Sequence, residues 1–290
     1  MQVVEHADGV AELRRPRQPG FFTGTRRSEQ IEWIEDLLSR GGPIPDDAPA
    51  VCVLDTGVHR EHRLLTDALN GADCHRADAQ WRPDPVCPHG TEMAGPALYG
   101  DLESAPASFV GYEPIAPAGD LAPTSRTSAS FAHTGWPFKS DAVADGGNLL
   151  RSPDGGTVDR SDHLTVLTTR FQHLGAGSFL TGGFDTSAAA AKVAAAAASV
   201  QAVYPALRPE TVRGLVVHSA RWADAMHAHQ SSGKNPPKGE LQVLRRRYGM
   251  GVPDLERALR SASDALTLVC ERRAAPVQAR TSAECRPCLP

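Results

Sequence analysis

The stretch "DTSAAAAKVAAAAASVQAVYP" constrains this chain more than any other. Residues 188–202 include ten alanines. Alanine is the best helix former because it has no side-chain rotamers to lose. A long helix is therefore predicted from about residue 186. Pro205 stops it, since proline has no N–H to give and its ring clashes with the preceding turn. Ser187 stands at the mouth of this helix, where the first-turn N–H groups have no intrahelical acceptor. Two further helices follow. "RPETVRGLVVHSA" carries Pro209 in its first turn, and "VPDLERALRSASDAL" is started by Pro253. Far upstream, "SEQIEWIEDLLSR" sets Ile31, Ile34, Leu37 and Leu38 on one helical face, with Ser28 as its cap.

The strand signals are fewer. Ala50 to Leu54, "AVCVL", is apolar on both faces, as a strand inside a parallel sheet would be. "HLTVLTTR" is β-branched and reads as a second strand. "PHGTEMAGPALYG" opens a helix with His89 in its first turn. Residues 101–135 are rich in Pro, Ser, Thr and Ala and hold no sustained period. Strands that lead into helices predict an α/β layered fold, a parallel sheet flanked by helices, rather than an all-β one. Three stretches follow from this: a lead-in over residues 1–49 with one helix, a main domain over 50–265, and a tail over 266–290 without periodicity. The tail reads as a disordered end or an unrelated extension. No internal repeat is present.

Charge and composition narrow the function classes. With a net charge of −4 over 290 residues, there is no electrostatic case for nucleic acid or an anionic membrane surface. No apolar run approaches the roughly 20 residues a membrane helix needs. The start, "MQVVEHADGVAELRRPRQPG", lacks the apolar core of a secretory signal. The six cysteines are scattered and do not read as a disulfide framework. A reducing, cytoplasmic setting is expected.

Asp55 closes the strand in "VLDTGV". On its own, Asp-Thr-Gly is a common turn that ends a buried strand. An aspartic-protease reading would need a second aspartate, and the available one, Asp185 in "FDTSA", lacks the expected glycine and runs straight into the alanine helix. The other reading pairs Asp55 with His89 and Ser187. A serine nucleophile needs a base to take its proton and an acid to hold that base in the right tautomer. It also gains from a helix N-terminus, whose free N–H groups stabilise a developing oxyanion. Simpler readings exist for each residue: a helix cap for Ser187 and a surface or core histidine for His89. Cys74, His75, Cys87 and His89 are metal-liganding types, but their spacing fits no common zinc pattern. "CRPC" at 285–288 is half a zinc site without a partner pair. The run Arg245, Arg246, Arg247 reads as a solvated face.

Three blocks taken together, "VLDTGV", "HGTEMAG" and "DTSAAAA" with the following "YPALRPETVRGLVVHSA", resemble the signature blocks of the subtilase family, in that family's order of Asp, His, Ser. "GWPFKSDAVADGGNLL" is similar to the family's Lys-Pro-Asp-Val segment ahead of the serine. The resemblance covers roughly residues 28–265. It implies a subtilisin-like fold and serine-type peptide-bond hydrolysis by Asp55, His89 and Ser187, with a peptide or protein substrate, no cofactor and no metal assigned. Asp55 and His89 are 34 positions apart, close to the roughly 30 of subtilisin. His89 and Ser187 are only 98 apart, against about 160 there. The missing material should lie between residues 104 and 110. In the family it supplies central strands, cleft walls and the asparagine of the oxyanion hole. Asn70, Asn148 and Asn235 are the chain's asparagines, and none can inherit that role by alignment. Asn148 reads as a turn residue. The position before Thr-Ser, usually glycine, is Asp185. The expected outcome is a shortened sheet with exposed edges, marginally stable alone or dependent on self-association or a partner protein, and with impaired turnover. The alternative is a catalytically inactive relic that acts as a binding or regulatory module.

Overall fold

The computed structural model describes residues 23–81, 85, 87–100, 112–129, 137–171, 177–230 and 237–263. The 266–290 tail and Asn235 lie outside these residues. The helices are α1 (Arg27–Arg40), α2 (His89–Tyr99), α3 (Thr186–Val203), α4 (Pro209–Ser219), α5 (Asp224–His227), α6 (Lys238–Tyr248) and α7 (Leu255–Ser263). The strands are β1 (Glu113–Pro114), β2 (Leu149–Arg151), β3 (Val158–Arg160), β4 (Val166–Thr169) and β5 (Leu180–Gly183).

Helix and strand are mixed as expected, but the sheets are small. β1, β2 and β3 form one antiparallel sheet, and β4 pairs with β5 antiparallel, with Val166 opposite Gly183 and Thr169 opposite Leu180. The expected parallel sheet is not found among the described residues. Ala50 to Leu54 belongs to no ladder, and no main-chain hydrogen bond reaches it among the described residues. A parallel strand exists only between neighbours. The segment where such neighbours are expected, between residues 104 and 110, is too short to supply them.

The alanine helix forms where propensity predicts, and ends at Val203 with Tyr204 as its cap, one residue before Pro205. Its C-terminal half packs with α4 and α7 around Val200, Val212, Leu215, Val216 and Ala258. Pro209 is the first residue of α4. α1 begins one residue before Ser28, capped by Arg26, whose N–H donates to Glu29 Oε2 at 3.3 Å. Ser28 is therefore inside the helix. This helix is more than a lead-in. Its Ile34 is buried with Leu64, Leu167, Phe179 and Leu180. Gln30, also buried, accepts at Oε1 from the Phe179 N–H and the Ser178 hydroxyl, both at 2.8 Å.

α6 is not among the helices predicted above, although Leu241, Leu244 and Tyr248 recur at helical spacing, and it changes the reading of the arginine run. Arg246 is buried, stacks over Phe138 at 4.8 Å and donates to the Ser128 carbonyl at 3.4 Å. The run is thus not a uniformly solvated face. Met226, Leu244 and Tyr248 form the core of this end of the molecule.

Candidate active site

The Asp55 turn and the His89 helix meet backbone to backbone. A Cβ on Gly90 would lie 2.2 Å from the Gly57 carbonyl oxygen and 3.2 Å from the Asp55 side chain, so only glycine lets α2 dock there. Gly57 itself has φ +104°, a conformation that favours glycine and turns the chain after Asp55-Thr56. The Thr91 hydroxyl accepts from the His59 N–H at 2.9 Å, which ties the same two segments again. On its far side, α2 is clipped to β4. The Thr168 hydroxyl donates to the Glu92 carbonyl, and the Thr169 hydroxyl donates to the Thr91 carbonyl at 2.5 Å.

This docking brings His89 Nδ1 to 2.5 Å from Asp55 Oδ2. The other carboxylate oxygen, Oδ1, accepts from the Thr56 N–H at 2.7 Å and from its hydroxyl at 3.0 Å. Burial pushes the Asp55 carboxyl up. The Thr56 N–H, His89 and the Thr56 hydroxyl together outweigh that and hold it below the ordinary carboxylate range. The Asp55 side chain is 13% exposed and that of His89 47%. The pair therefore has a covered acid and an open imidazole. With Nδ1 committed to the carboxylate, Nε2 is the ring nitrogen left for other work.

Ser187 is the second residue of α3. The helix starts at Asp185, which has φ +83° and ψ −176°. That region is nearly reserved for glycine, which is the physical reason a glycine is expected before Thr-Ser. Asp185 is held there by its N–H, which donates to the Gly146 carbonyl at 2.7 Å, and by its Oδ1, which accepts from the Thr186 N–H at 2.7 Å. α2 and α3 pack on each other. Met93, one turn beyond His89, and Ala188, next to Ser187, share a buried cluster with Val166, against which Val53 rests. No hydrogen bond joins His89 to Ser187 among the described residues.

Further side chains belong to the site. Cys87 Sγ lies 2.7 Å from the Thr56 hydroxyl, which links the Asp55 turn to the residues just ahead of His89. Glu92 lies one turn beyond His89. Burial raises its carboxyl above the ordinary range, against the pull of His89, Arg160 and Arg170. The i, i+3 spacing of His and Glu in "HGTE" was the available signal. Asn148 is more than a turn residue. Its side-chain N–H donates to the Ala116 carbonyl at 2.8 Å, and its Oδ1 accepts from the Ala116 and Leu149 N–H groups. Its amide is engaged in holding two segments together. Among the described residues, no group of three or more metal-liganding side chains occurs. Cys52, Cys74 and Cys87 are free thiols. No helix among the described residues is long and apolar enough to cross a membrane.

Compared with known proteins, the chain matches the model of the subtilase family over residues 109–251. That span holds Ser187, β1 to β5 and α3 to α6; Asp55 and His89 precede it. No curated protein and no solved structure matches the chain. The matched span covers the Lys-Pro-Asp-like segment, the serine block and the Tyr-Pro break that carried the resemblance. Over residues 109–251, just under half of its length, this chain is similar to the subtilase family.

Proposed function

We propose that this protein is a serine-type peptidase in which Ser187 is the nucleophile, His89 the general base and Asp55 the residue that holds His89 in its working tautomer. The family match supports a peptidase at the level of the family. The observation that carries the finer reading is the 2.5 Å contact between His89 Nδ1 and Asp55 Oδ2, on a helix packed against the one that carries Ser187 in its first turn. In this reaction His89 Nε2 takes the Ser187 hydroxyl proton as Oγ attacks the peptide carbonyl. His89 then gives that proton to the leaving amine, and water releases the acyl group by the same route. The Ser187 N–H, in the first turn of α3, is the oxyanion donor on this chain's own backbone. Hydrogen bonds of this kind are often long before substrate binds, so the missing His89–Ser187 bond is compatible with this chemistry.

Turnover is proposed to be impaired. Losing one oxyanion donor costs a serine protease about 100- to 1,000-fold. Asn148, the asparagine nearest the serine block in sequence, is engaged elsewhere. The test is labelling by a small fluorophosphonate probe. The expected result is slow modification of Ser187, abolished by Ser187→Ala, with little turnover of peptides. Peptide turnover on the order of 10 per second would mean that another group supplies the oxyanion role. A second reading, a binding module that keeps the triad residues without the chemistry, is favoured by the same missing segment. Absence of any labelling in folded protein selects it.

A further inference from the structure

Ala50 to Leu54 has the signature of a strand without a sheet. Its exposure alternates: Ala50, Cys52 and Leu54 are exposed, whereas Val51 and Val53 are half-buried. Leu54 is 92% exposed. Neither edge of this stretch makes a main-chain hydrogen bond among the described residues. Its first residues form one wall of an open groove of about 1590 Å³. Another wall is the alanine helix, with Ala190, Val193, Ala194, Ala197 and Gln201 among its lining residues. This wall runs about 16 Å along α3 at 1.5 Å per residue, the length of about five extended residues at 3.3 Å each. The volume exceeds the roughly 300–1,000 Å³ of a small-molecule pocket.

An occupant must supply two things: a strand edge with free N–H and C=O groups, and apolar side chains to lie over alanines. This chain exposes both in the same five residues. We propose that two copies of the chain associate about a twofold axis. The Ala50–Leu54 strand of each copy pairs antiparallel with that of the other, so that each lies in the other's groove. Such a contact is isologous and closes at two copies. It also removes an open, flat apolar edge of the kind that otherwise invites aggregation.

The register follows from the pleat. Residues directly opposite each other in an antiparallel pair point to the same face, and a one-residue slip would set the exposed face against the half-buried one. The twofold axis must therefore pass through a residue rather than between two. Centred on Cys52, the pairing uses all of Ala50 to Leu54: Ala50 opposite Leu54, Val51 opposite Val53, and Cys52 opposite its own copy. Centred on Val53, it would draw in Asp55, which is engaged with His89.

Sedimentation velocity on the full chain from low to high micromolar concentration tests this, together with mild oxidation read on a non-reducing gel. The expected result is a particle of twice the chain mass that Leu54→Lys converts to monomer. Leu54 is almost fully exposed, so that change removes little packing, and an unchanged circular-dichroism spectrum checks the fold. Oxidation should yield a covalent dimer that Cys52→Ser abolishes. A chain that stays monomeric throughout overturns the proposal. So does a dimer that survives Leu54→Lys and cross-links equally in Cys52→Ser. Neither outcome depends on whether Ser187 is reactive.

Discussion

Two aspartate–histidine pairs occur among the described residues, and they are not alike. Asp55 meets His89 at 2.5 Å, and Asp120 meets His229 Nε2 at 2.9 Å. In both, the carboxylate is well covered and the imidazole more open, 13% against 47% in the first and 17% against 38% in the second. In both, burial pushes the acid up and hydrogen bonds more than reverse it. They differ in what holds the second carboxylate oxygen. Asp55 Oδ1 is held by its own neighbour, Thr56. Asp120 Oδ1 likewise accepts from its neighbour's N–H, that of Leu121, at 2.7 Å, but it also accepts from the Tyr248 hydroxyl at 2.7 Å, and Tyr248 is core. The first pair is assembled by a turn and a helix start beside the helix that carries Ser187. The second ties the loop at Asp120 to the segment just after α5 through His229, and to the end of α6 through Tyr248, as a clamp. An Asp–His contact is therefore not a catalytic signature until its surroundings are known.

The largest expected effect separates the two pairs by function. Asp55→Asn should slow fluorophosphonate labelling of Ser187 by about 1,000- to 10,000-fold, because the amide stabilises the wrong imidazole tautomer. Asp120→Asn should leave the labelling rate within about twofold. Equal losses in both variants would erase the distinction.

A stability measurement sharpens it from the other side. Tyr248→Phe removes a hydrogen bond to a covered carboxylate and should cost about 1.5–3 kcal/mol in chemical denaturation. Burial and the Asp120 carboxylate push the Tyr248 phenol well above the ordinary tyrosine range, so its proton stays on in any ordinary buffer. Thr56→Val should instead act mainly on labelling, since both of its partners belong to the site.

Asp185 gives a smaller effect of opposite sign. Asp185→Gly relieves a backbone conformation that costs a non-glycine residue about 1–3 kcal/mol. It gives up a cap contact that glycine replaces at a loss of only a few tenths of a kcal/mol. A net gain of about 1 kcal/mol is expected in the melt. A destabilised Asp185→Gly would mean that the carboxylate does more than cap α3.

The smallest effect concerns His62, which has no carboxylate partner. Its Nδ1 accepts from the Leu64 N–H at 3.2 Å, so Nε2 is the donor to the Phe179 carbonyl at 2.8 Å. Burial foremost, and His59 as well, hold His62 below the ordinary histidine value of 6.5. The unfolded chain thus binds this proton more readily than the folded one. The stability tied to neutral His62 is full above pH 6.5 and is lost as the pH falls below it. The Asp55 and Asp120 pairs work at lower pH. Their acids are held below 3.8 in the fold, so their contribution persists above that value and is lost only in stronger acid. A denaturation series across pH 7 to 5 in His62→Gln should show a flatter slope than the parent.

Local signals read well from the sequence wherever local physics decides. Ten alanines and a following proline set α3, Pro209 set the start of α4, and "HGTEMAG" set α2. The Asp55–His89 contact was legible because motif glycines encode a backbone approach, seen at Gly57 and Gly90. What failed was non-local. Ala50–Leu54 has the composition of a central strand, but a strand's partners are not written in the strand itself. Arg246 was hidden for the same reason: an arginine run does not show that Phe138 and Ser128 await its middle member. Asn148 reads as a turn residue because the other partner of its amide, Ala116, is 32 positions away.

The glycine contact at the Asp55 turn has a consequence for how such a chain can change over generations. Because Gly90 rests directly on the Gly57 carbonyl, the geometry of the Asp–His pair is set by main chain, within two short stretches. No residue of the groove takes part in it. A deletion can therefore strip away the substrate-binding walls while the pair survives undisturbed. Selection on turnover and preservation of the pair become separable.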